Sequence, residues 1–363
     1  MHTFDFEDVN EAFHELVERV HTSRIEMDHY ESRNGPAMRF PEPVIIAYRN
    51  PRKRVLFNLA RDCNPFFHLY EAMWMLAGQH DVESVAYYAS NIKNYSDDGV
   101  ILNGAYGHRW RRRANLDQLS ILVKHLTDDP NSRRAVLQMW TIKSDLLKID
   151  HQFDTKMVDG SRTGFSKDVC CNTNIYFSMR RSLEPHPGAY AKDGVIVVPI
   201  TQRLDMTVCN RSNDLVWGLL GANYVHFSFL HEYMANCLGV NIGTYYHFSN
   251  DLHIYKNNWE PEEWLAEPLA IYPPFLAGMP LVDTLSRQED FDRECLQLVK
   301  SHGAMTSSEP FLHNIVRPMC NAFKMHKQRN YKEALEWMSQ VKSDDWQRAG
   351  TAWITKRWRK YEE

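Results

Sequence analysis

The side chains best suited to covalent chemistry gather in one stretch, Lys167-Asp168-Val169-Cys170-Cys171-Asn172-Thr173-Asn174, and a second, Asn210-Arg211-Ser212-Asn213-Asp214, with Asn223, His253 and Tyr255 further on. A thiol acts as a nucleophile at neutral pH when positive surroundings lower its pKa from about 8.5, and Arg211 is a source of such a field. Glu71 is the other unusual residue, set in an apolar run of Phe67, Leu69, Met73, Trp74 and Leu76 where a carboxyl needs a reason. Arg33, Arg133 and Arg134 supply guanidinium forks of the kind that hold a phosphate dianion. Taken singly, each has an ordinary reading: a buried cysteine is commonly a small hydrophobe, and Arg-Ser-Asn-Asp or an arginine pair is commonly a solvated turn.

The elements that must position these groups are legible from periodicity. Phe6, Val9, Phe13, Leu16, Val17 and Val20 recur at helical spacing, so the spacing predicts an amphipathic first helix. Glu31 to Pro36 reads as a polar loop carrying Arg33, with a strand at Val44 to Tyr48. Phe66 to Gly78 reads as a buried helix stopped by its glycine, and Leu116 to Leu126 as a second helix ended by Asp128-Asp129-Pro130. Strands are expected at Ala135 to Trp140, Asn174 to Met179, Leu204 to Cys209 and Ile242 to Phe248, a long connection at Arg181 to Gly194, and a helix at Tyr224 to Leu238. That order predicts an α+β fold around a large mixed sheet. Past about Pro261, and the linker signal Tyr272-Pro273-Pro274, charge alternates with Trp, Met and Leu at helical spacing. We therefore read residues 1–262 as a catalytic domain and 263–363 as a mostly helical C-terminal extension, with a helical hairpin at Tyr331 to Gly350.

Composition narrows the function classes. A chain of 363 residues, 44% hydrophobic, has material for a proper core, and a formal net charge of -4 provides no global basic field for duplex binding, so no stable nucleic-acid complex is expected. Seven scattered cysteines, two of them adjacent, do not form a secreted disulfide framework and suit a reducing cytoplasm. No segment approaches the ~18 apolar residues that a membrane span needs, and Met1 to Asp5 opens no basic-then-apolar leader, so neither secretion nor membrane insertion is expected. A zinc deaminase would need His-x-Glu and Pro-Cys-x-x-Cys spacing, which the adjacent pair lacks.

In order along the chain, Glu71-Ala-Met-Trp74-Met-Leu-Ala-Gly78, Asn103-Gly-Ala-Tyr106-Gly107-His-Arg-Trp110, Asp129-Pro-Asn-Ser-Arg133-Arg134, the Cys171 segment, Arg211-Ser212-Asn213-Asp214 and His253-Ile-Tyr255 resemble the thymidylate synthase and pyrimidine hydroxymethylase family, from roughly Glu31 to Trp259. The resemblance implies a thymidylate synthase-like fold and one-carbon transfer from 5,10-methylenetetrahydrofolate to C5 of a pyrimidine nucleoside monophosphate. It makes Cys171 the nucleophile that adds to C6 and activates C5. Cys170 stands where the family usually has proline, and because neighbouring strand residues face opposite ways only one of the two thiols enters the site. Glu71 is implied as acid and base at O4 and C5, with a pKa raised by burial, and Tyr106 as a hydroxyl in the same water network. Arg33, Arg211 and Ser212 are implied to hold the phosphate, with Arg133 and Arg134 reaching in from a neighbour, hence a homodimer with shared active sites. His253 and Tyr255, two apart and so on one face of an extended segment, match the pair that binds the sugar hydroxyl. Asp214 is implied to contact the folate pterin, and Trp74 is a further cofactor-side residue.

Two departures from the family pattern bear on base and product. An asparagine near the start of the helix after the Arg-Ser motif suits uracil, but Gly218-Leu-Leu-Gly-Ala-Asn223 is one residue longer than usual, so either a bulge absorbs the insertion or Ala222 takes the reading position. Methylating members shield the reactive methylene with tryptophan between the Glu and Tyr-Gly motifs, whereas Gln79 to Asn103 offers Tyr87, Tyr88 and Tyr95 and no tryptophan. The folate-closing C-terminus is replaced by the extension. Both lean toward hydration and a 5-hydroxymethyl nucleotide, dUMP ahead of dCMP, as in members that make modified bases for viral DNA. The alternatives are a thymidylate synthase releasing dTMP and dihydrofolate, and a non-catalytic nucleotide- or RNA-binding homologue, which would be expected to have lost Cys171, Glu71 or the arginines. For the extension, thickening a dimer interface stands ahead of covering the site or docking another enzyme.

Overall fold

The computed structural model describes residues 1–32, 34–146, 167–181, 190–192, 195–197, 202–269, 279–283 and 285–362. The strands are β1 (His2–Phe6), β2 (Asp28–Ser32), β3 (Gly35–Arg39), β4 (Val44–Tyr48), β5 (Val136–Gln138), β6 (Asn172–Arg181), β7 (Tyr190–Lys192), β8 (Val195–Val197), β9 (Gln202–Asn210), β10 (Asn213–Asp214), β11 (Asn241–Ser249) and β12 (Leu252–Tyr255). The α-helices are α1 (Val9–His21), α2 (Pro65–Leu76), α3 (Val82–Ala86), α4 (Tyr106–Arg111), α5 (Gln118–Asp128), α6 (Asn223–Leu238), α7 (Pro261–Ala266), α8 (Gln288–Lys300), α9 (Arg317–Lys327), α10 (Tyr331–Met338) and α11 (Asp344–Glu362).

Six strands form a mixed sheet in the order β1-β4-β11-β9-β6-β5, in which β11 runs parallel to β9 and antiparallel to β4. The period of two decides which face is buried: Leu204, Met206 and Val208 of β9 and Ile175 and Phe177 of β6 all point into the core. Helix α6 covers that face and is itself buried nearly all round, as a helix sandwiched between a sheet and other helices must be. A smaller sheet, β10-β12-β3-β2, stands at the end where β9 and β11 finish, and β7 pairs with β8 as a separate hairpin.

Helix α2 starts where Asn64 accepts the Phe67 N–H at 3.1 Å with Pro65 in the first turn, and stops at Gly78, whose φ of +68° is the left-handed turn that glycine takes without strain. The helices after residue 288 share one core with this body. Phe66 of α2 packs edge-on to Trp353 at 5.3 Å, Phe229 of α6 meets Phe311 and Trp346, and Arg111 of α4 reaches Asp292 of α8 at 2.7 Å.

The α+β class and the large mixed sheet are as the sequence led us to expect. Three local readings change. The chain opens with β1 rather than entering a helix at Phe6; α1 begins at Val9 because the Asp8 side chain caps it, accepting from the N–H groups of Asn10 and Glu11. The polar stretch expected as a loop from Glu31 to Pro36 instead supplies the end of β2 and the start of β3. The strand expected over Ala135 to Trp140 is confined to β5. Arg33 itself, and most of the long connection after Arg181, lie outside the described residues.

Candidate active site

The nucleophile candidate sits at the entrance to β6. Cys171 is half-buried while Cys170 is 1% exposed, its thiol donating to the Asn172 carbonyl at 3.0 Å, and burial pushes the Cys170 thiol well above its ordinary pKa. Arg211 wraps the same turn: Nε donates to the Cys170 carbonyl at 3.0 Å and Nη2 to that of Val169 at 3.1 Å, which brings Nη2 to 3.9 Å from the Cys171 sulfur. A guanidinium pinned by two carbonyls is a fixed positive charge beside a thiol, the condition for a thiolate. Pairing between β6 and β9 shifts register between Asn172 and Asn174, a bulge that re-aims the chain beside Cys171.

Ser212 and the small sheet form the next wall. β10 and β12 run parallel with Asp214 opposite His253, and Ser212 Oγ lies 3.4 Å from His253 Nδ1. His253 and Tyr255 share a face of β12 with ring centroids 5.0 Å apart. The Tyr255 hydroxyl accepts from Asn34 at 3.0 Å, and burial raises its pKa, with Asp214, Cys171 and Tyr95 close enough to add to the shift. Burial likewise raises the Asp214 carboxyl, which accepts the Trp217 N–H. Beside it the Trp217 indole is 53% exposed, with the Arg61 guanidinium 3.9 Å from its ring. A buried carboxylate next to an open aromatic face is a donor set that fits a flat, N–H-bearing heterocycle such as a pterin.

The segment that leads into Asn223 departs from α-helical geometry. Leu215–Ala222 forms a π-helix with a break at Gly221 (φ -127°, ψ -118°), one residue wider per turn than an α-helix. Asn223 then opens α6 with its Nδ2 donating to Asn213 Oδ1 at 2.9 Å. Asn213 Nδ2 lies 3.0 Å from His247 Nε2, and His247 Nδ1 lies 2.6 Å from the Tyr245 hydroxyl. Burial holds the His247 imidazole neutral, down to about 3. With its proton assigned to Nδ1, Nε2 accepts from Asn213 and the whole chain of amides has one orientation.

The acid candidates lie on α2 and α4. Glu71 on α2 is 8% exposed, and His226 Nε2 of α6 approaches its Oε2 to 2.9 Å without hydrogen-bond alignment; neither atom has another partner among the described residues. Tyr106 stacks on Phe227 with centroids 5.5 Å apart, and burial raises its hydroxyl far above the usual tyrosine range, with Cys171, Cys170 and Asp168 adding to the effect. Gly107 lets α4 lie directly on α2, since a Cβ there would fall 1.9 Å from the Met75 carbonyl oxygen.

Of the expected residues, Arg211 lies beside Cys171, Ser212 beside His253, Asp214 opposite His253 on neighbouring strands, His253 beside Tyr255, and Asn223 reaches Asn213. Arg133 and Arg134 stay apart, exposed at the turn into β5 with no ion pair among the described residues. Trp74, expected on the cofactor side, is instead a core residue, 1% exposed, its indole donating to Asp81 at 3.2 Å because the apolar run that carries it packs inward. Sequence reasoning missed the Asn213-His247 relay and the Glu71-His226 contact. Both join residues far apart in the chain, and nothing in local spacing signals them.

Comparison with known proteins agrees with this geometry. The family profile described as thymidylate synthase matches residues 60–273. Over 358 residues, 94% of this chain and 91% of the relative, the sequence is 38% identical to a deoxyuridylate hydroxymethyltransferase of Pseudomonas phage M6. It is 34% identical over 235 residues to the enzyme of the same name from Bacillus phage SP01, covering 62% of this chain and 52% of that one. A thymidylate synthase of Symbiobacterium thermophilum is 27% identical over 205 residues, 52% of this chain and 58% of that one. The crystal structure of thymidylate synthase from T4 phage superposes with a TM-score of 0.52 at 16% identity, covering 80% of this chain and 92% of that one, a likeness of fold. A thiol held against a guanidinium, a carboxyl buried on α2 and a profile spanning both make this chain a one-carbon-transferring enzyme, a member of the thymidylate synthase family.

Proposed function

We propose that this enzyme transfers the one-carbon unit of 5,10-methylenetetrahydrofolate to C5 of dUMP and completes the reaction with water, giving 5-hydroxymethyl-dUMP and tetrahydrofolate. The observation that carries the base assignment is the amide relay. With His247 accepting from Asn213 and Asn213 accepting from Asn223, the Asn223 amide keeps one N–H and its oxygen for the substrate, which matches O4 and N3–H of uracil and mismatches cytosine. The product assignment rests on the segment between residues 79 and 103, which has no tryptophan and presents Tyr95, 51% exposed and close enough to Tyr255 to influence its titration. The long match to a phage enzyme named for hydroxymethyl transfer to deoxyuridylate supports the same reading.

The residues divide the work as follows. Cys171, with the Arg211 guanidinium 3.9 Å from its sulfur to favour the thiolate, adds to C6, so that C5 gains the electron density to attack an electrophilic carbon. The folate, when bound, supplies that carbon at the methylene oxidation level, and Asp214 with Trp217 would hold its pterin. Glu71, with Tyr106, removes the C5 proton and serves O4, His226 orienting its carboxyl. Arg211 and Ser212, joined by Arg33, hold the phosphate, and His253 and Tyr255 hold the sugar hydroxyl. Arg133 and Arg134, exposed and without acidic partners among the described residues, complete the phosphate site of a second copy in a homodimer. Among the described residues no helix is long and apolar enough to cross a membrane, and we place the enzyme in the cytoplasm, where nucleotides and reduced folate are.

The test is to mix protein, 5,10-methylenetetrahydrofolate and dUMP or dCMP, weigh the nucleotide product by mass spectrometry and follow dihydrofolate at its absorbance. A hydroxymethylated dUMP without dihydrofolate is expected; a methylated nucleotide formed with dihydrofolate would replace the proposal with thymidylate synthesis.

A further inference from the structure

Two cavities that share no residue with the site above meet at α11. The inner one has a volume of about 440 Å³ and lies between α11 and the segment Leu56 to Cys63, with Leu56, Phe57, Ala349 and Trp353 among its apolar walls. Of its two carboxylates, Asp62 is held by the Arg357 guanidinium at 3.0 and 3.1 Å, whereas half-buried Glu267 has no hydrogen bond or ion pair among the described residues. The outer cavity, about 880 Å³, runs along α11 and is lined by Arg348, Lys356, Arg359 and Lys360, with no acidic residue among the described ones. Leu59, Arg348, Ala352 and Lys356 line both, so the two form one continuous hollow with an apolar inner end and a cationic outer end.

The cations share a face because their spacing follows the helix: Arg348, Lys356 and Lys360 stand at steps of eight and four, with Arg359 beside them. From Arg348 to Lys360 they span roughly 18 Å of helix. Lys and Arg in a last turn ordinarily complement the helix dipole, which accounts for Arg359 and Lys360. It does not account for Arg348, four residues after the start of α11 at the dipole's positive end, nor for two like charges four apart at Lys356 and Lys360, a pairing unfavourable by itself. Arg348 is steadied over the Phe57 ring at 4.5 Å, and Lys356 donates to the Leu59 carbonyl at 3.1 Å. Arg359 and Lys360 are exposed, with no hydrogen bond or ion pair among the described residues.

We propose that this hollow binds a nucleoside polyphosphate, with the phosphate chain along the cations of α11 and the base in the inner cavity. A phosphate monoester carries about two negative charges at neutral pH, so four cations suit a chain of phosphates rather than the single phosphate of the substrate. The inner volume lies within the roughly 300–1,000 Å³ of small-molecule sites, and apolar walls with a few placed polar groups are their usual lining. Glu267 is an acceptor without a donor, which fits a base that carries an amino group.

The test is calorimetric titration of ATP, and separately of inorganic tripolyphosphate, into the full-length enzyme saturated with dUMP so that the substrate site is filled. Saturable ATP binding with a Kd below about 100 μM is expected, weakening as salt is added, with tripolyphosphate at least about tenfold weaker. The double variant Arg359→Glu, Lys360→Glu should bind ATP at least about 30-fold more weakly while its turnover of dUMP stays within about twofold of wild type. Glu267→Gln should weaken ATP about fivefold and leave tripolyphosphate unchanged. Absence of ATP binding up to about 5 mM, or undiminished binding by the double variant, would overturn the proposal. Equal affinity for ATP and tripolyphosphate would also overturn it, since the inner cavity would then hold no base.

Discussion

Gly107→Ala is the most direct probe of how the fold holds its acid against its thiol. A methyl at this position would lie 1.9 Å from the Met75 carbonyl oxygen and 2.4 Å from its Cα, where carbon contacts need about 3.5 Å. Both obstacles are backbone, so relief requires α4 to move from α2 by an ångström or more. Overpacking of this kind costs about 1–3 kcal/mol, and with no flexible side-chain end to yield the upper end applies, a shift of about 100-fold in the folding equilibrium. Because α4 starts with Tyr106 and α2 carries Glu71, the same movement separates two groups placed on one proton path, and a displacement near 1 Å lowers turnover by about 100-fold. Urea unfolding followed by tryptophan fluorescence reads the first effect and tritium release from [5-3H]dUMP the second. Gly239→Ala is the control: its φ is +66° but nothing lies within 4 Å of the added methyl, so only backbone strain of about 1–2 kcal/mol is expected and activity should hold. A Gly107→Ala enzyme with an unchanged midpoint and activity within twofold would refute the close-approach argument.

Cys171→Ser should abolish product to below one-thousandth, whereas Cys170→Ala should keep activity within about fivefold and lose about 1–2 kcal/mol of stability, both read by single-turnover mass assay and denaturation. Equal loss in the two would mean that the thiols had been assigned to the wrong faces. Acid should weaken the fold: burial holds His231 down to about 4 and His247 down to about 3, so the unfolded chain takes up these protons below about pH 6.5 while the folded chain does not. Stability present above pH 6.5 is therefore lost as pH falls, by up to about 1.4 kcal/mol per pH unit for each imidazole. A flat unfolding midpoint between pH 7 and 4.5 would contradict this, and His247→Gln should shallow the slope. Trp353→Ala removes a ring packed on Phe66 and Phe323 and should cost about 3–5 kcal/mol, measured by thermal melting; an unaffected melt would mean that the last helix is an appendage to an independent core.

The sequence revealed most of what depends on local periodicity. Helices α2, α5 and α6 and strands β6, β9 and β11 fall within a few residues of where apolar spacing put them. It failed where a short element is defined by its partner. β1 has five residues and alternates weakly, and it exists because it pairs in register with Val44 to Tyr48. The β2-β3 hairpin is polar on most positions, so only its pairing with β12 separates it from a loop. For the site, residue types in their order along the chain singled out Cys171, Glu71, Arg211 and the β12 pair only through the family resemblance, since each taken singly has an ordinary reading. They could not show that Trp74 packs inward, since helical spacing gives an apolar face but not which aromatic on it meets the cleft.

The insertion before Asn223 shows why spacing alone left the base reader open. A sequence one residue too long is equally compatible with a register shift, which would put Ala222 in the site, and with a local widening that leaves everything downstream in place. The second is cheap only where the extra residue can break helical geometry without strain, and Gly221 provides that. Downstream, α6 is fixed by burial from Tyr224 to Ala235 and cannot rotate by the 100° a shift would demand without exposing that face. On the proposed reading packing therefore selects the π-turn, with Asn213, hydrogen-bonded to His247, holding Asn223 through its side-chain amide. Deleting Gly221 tests this: if the wide turn is what presents Asn223, the shortened chain should either unfold α6's first turn or lose affinity for dUMP while keeping its Cys171-Arg211 contact. Unchanged dUMP binding by the deletion variant would mean that the reading position tolerates either register.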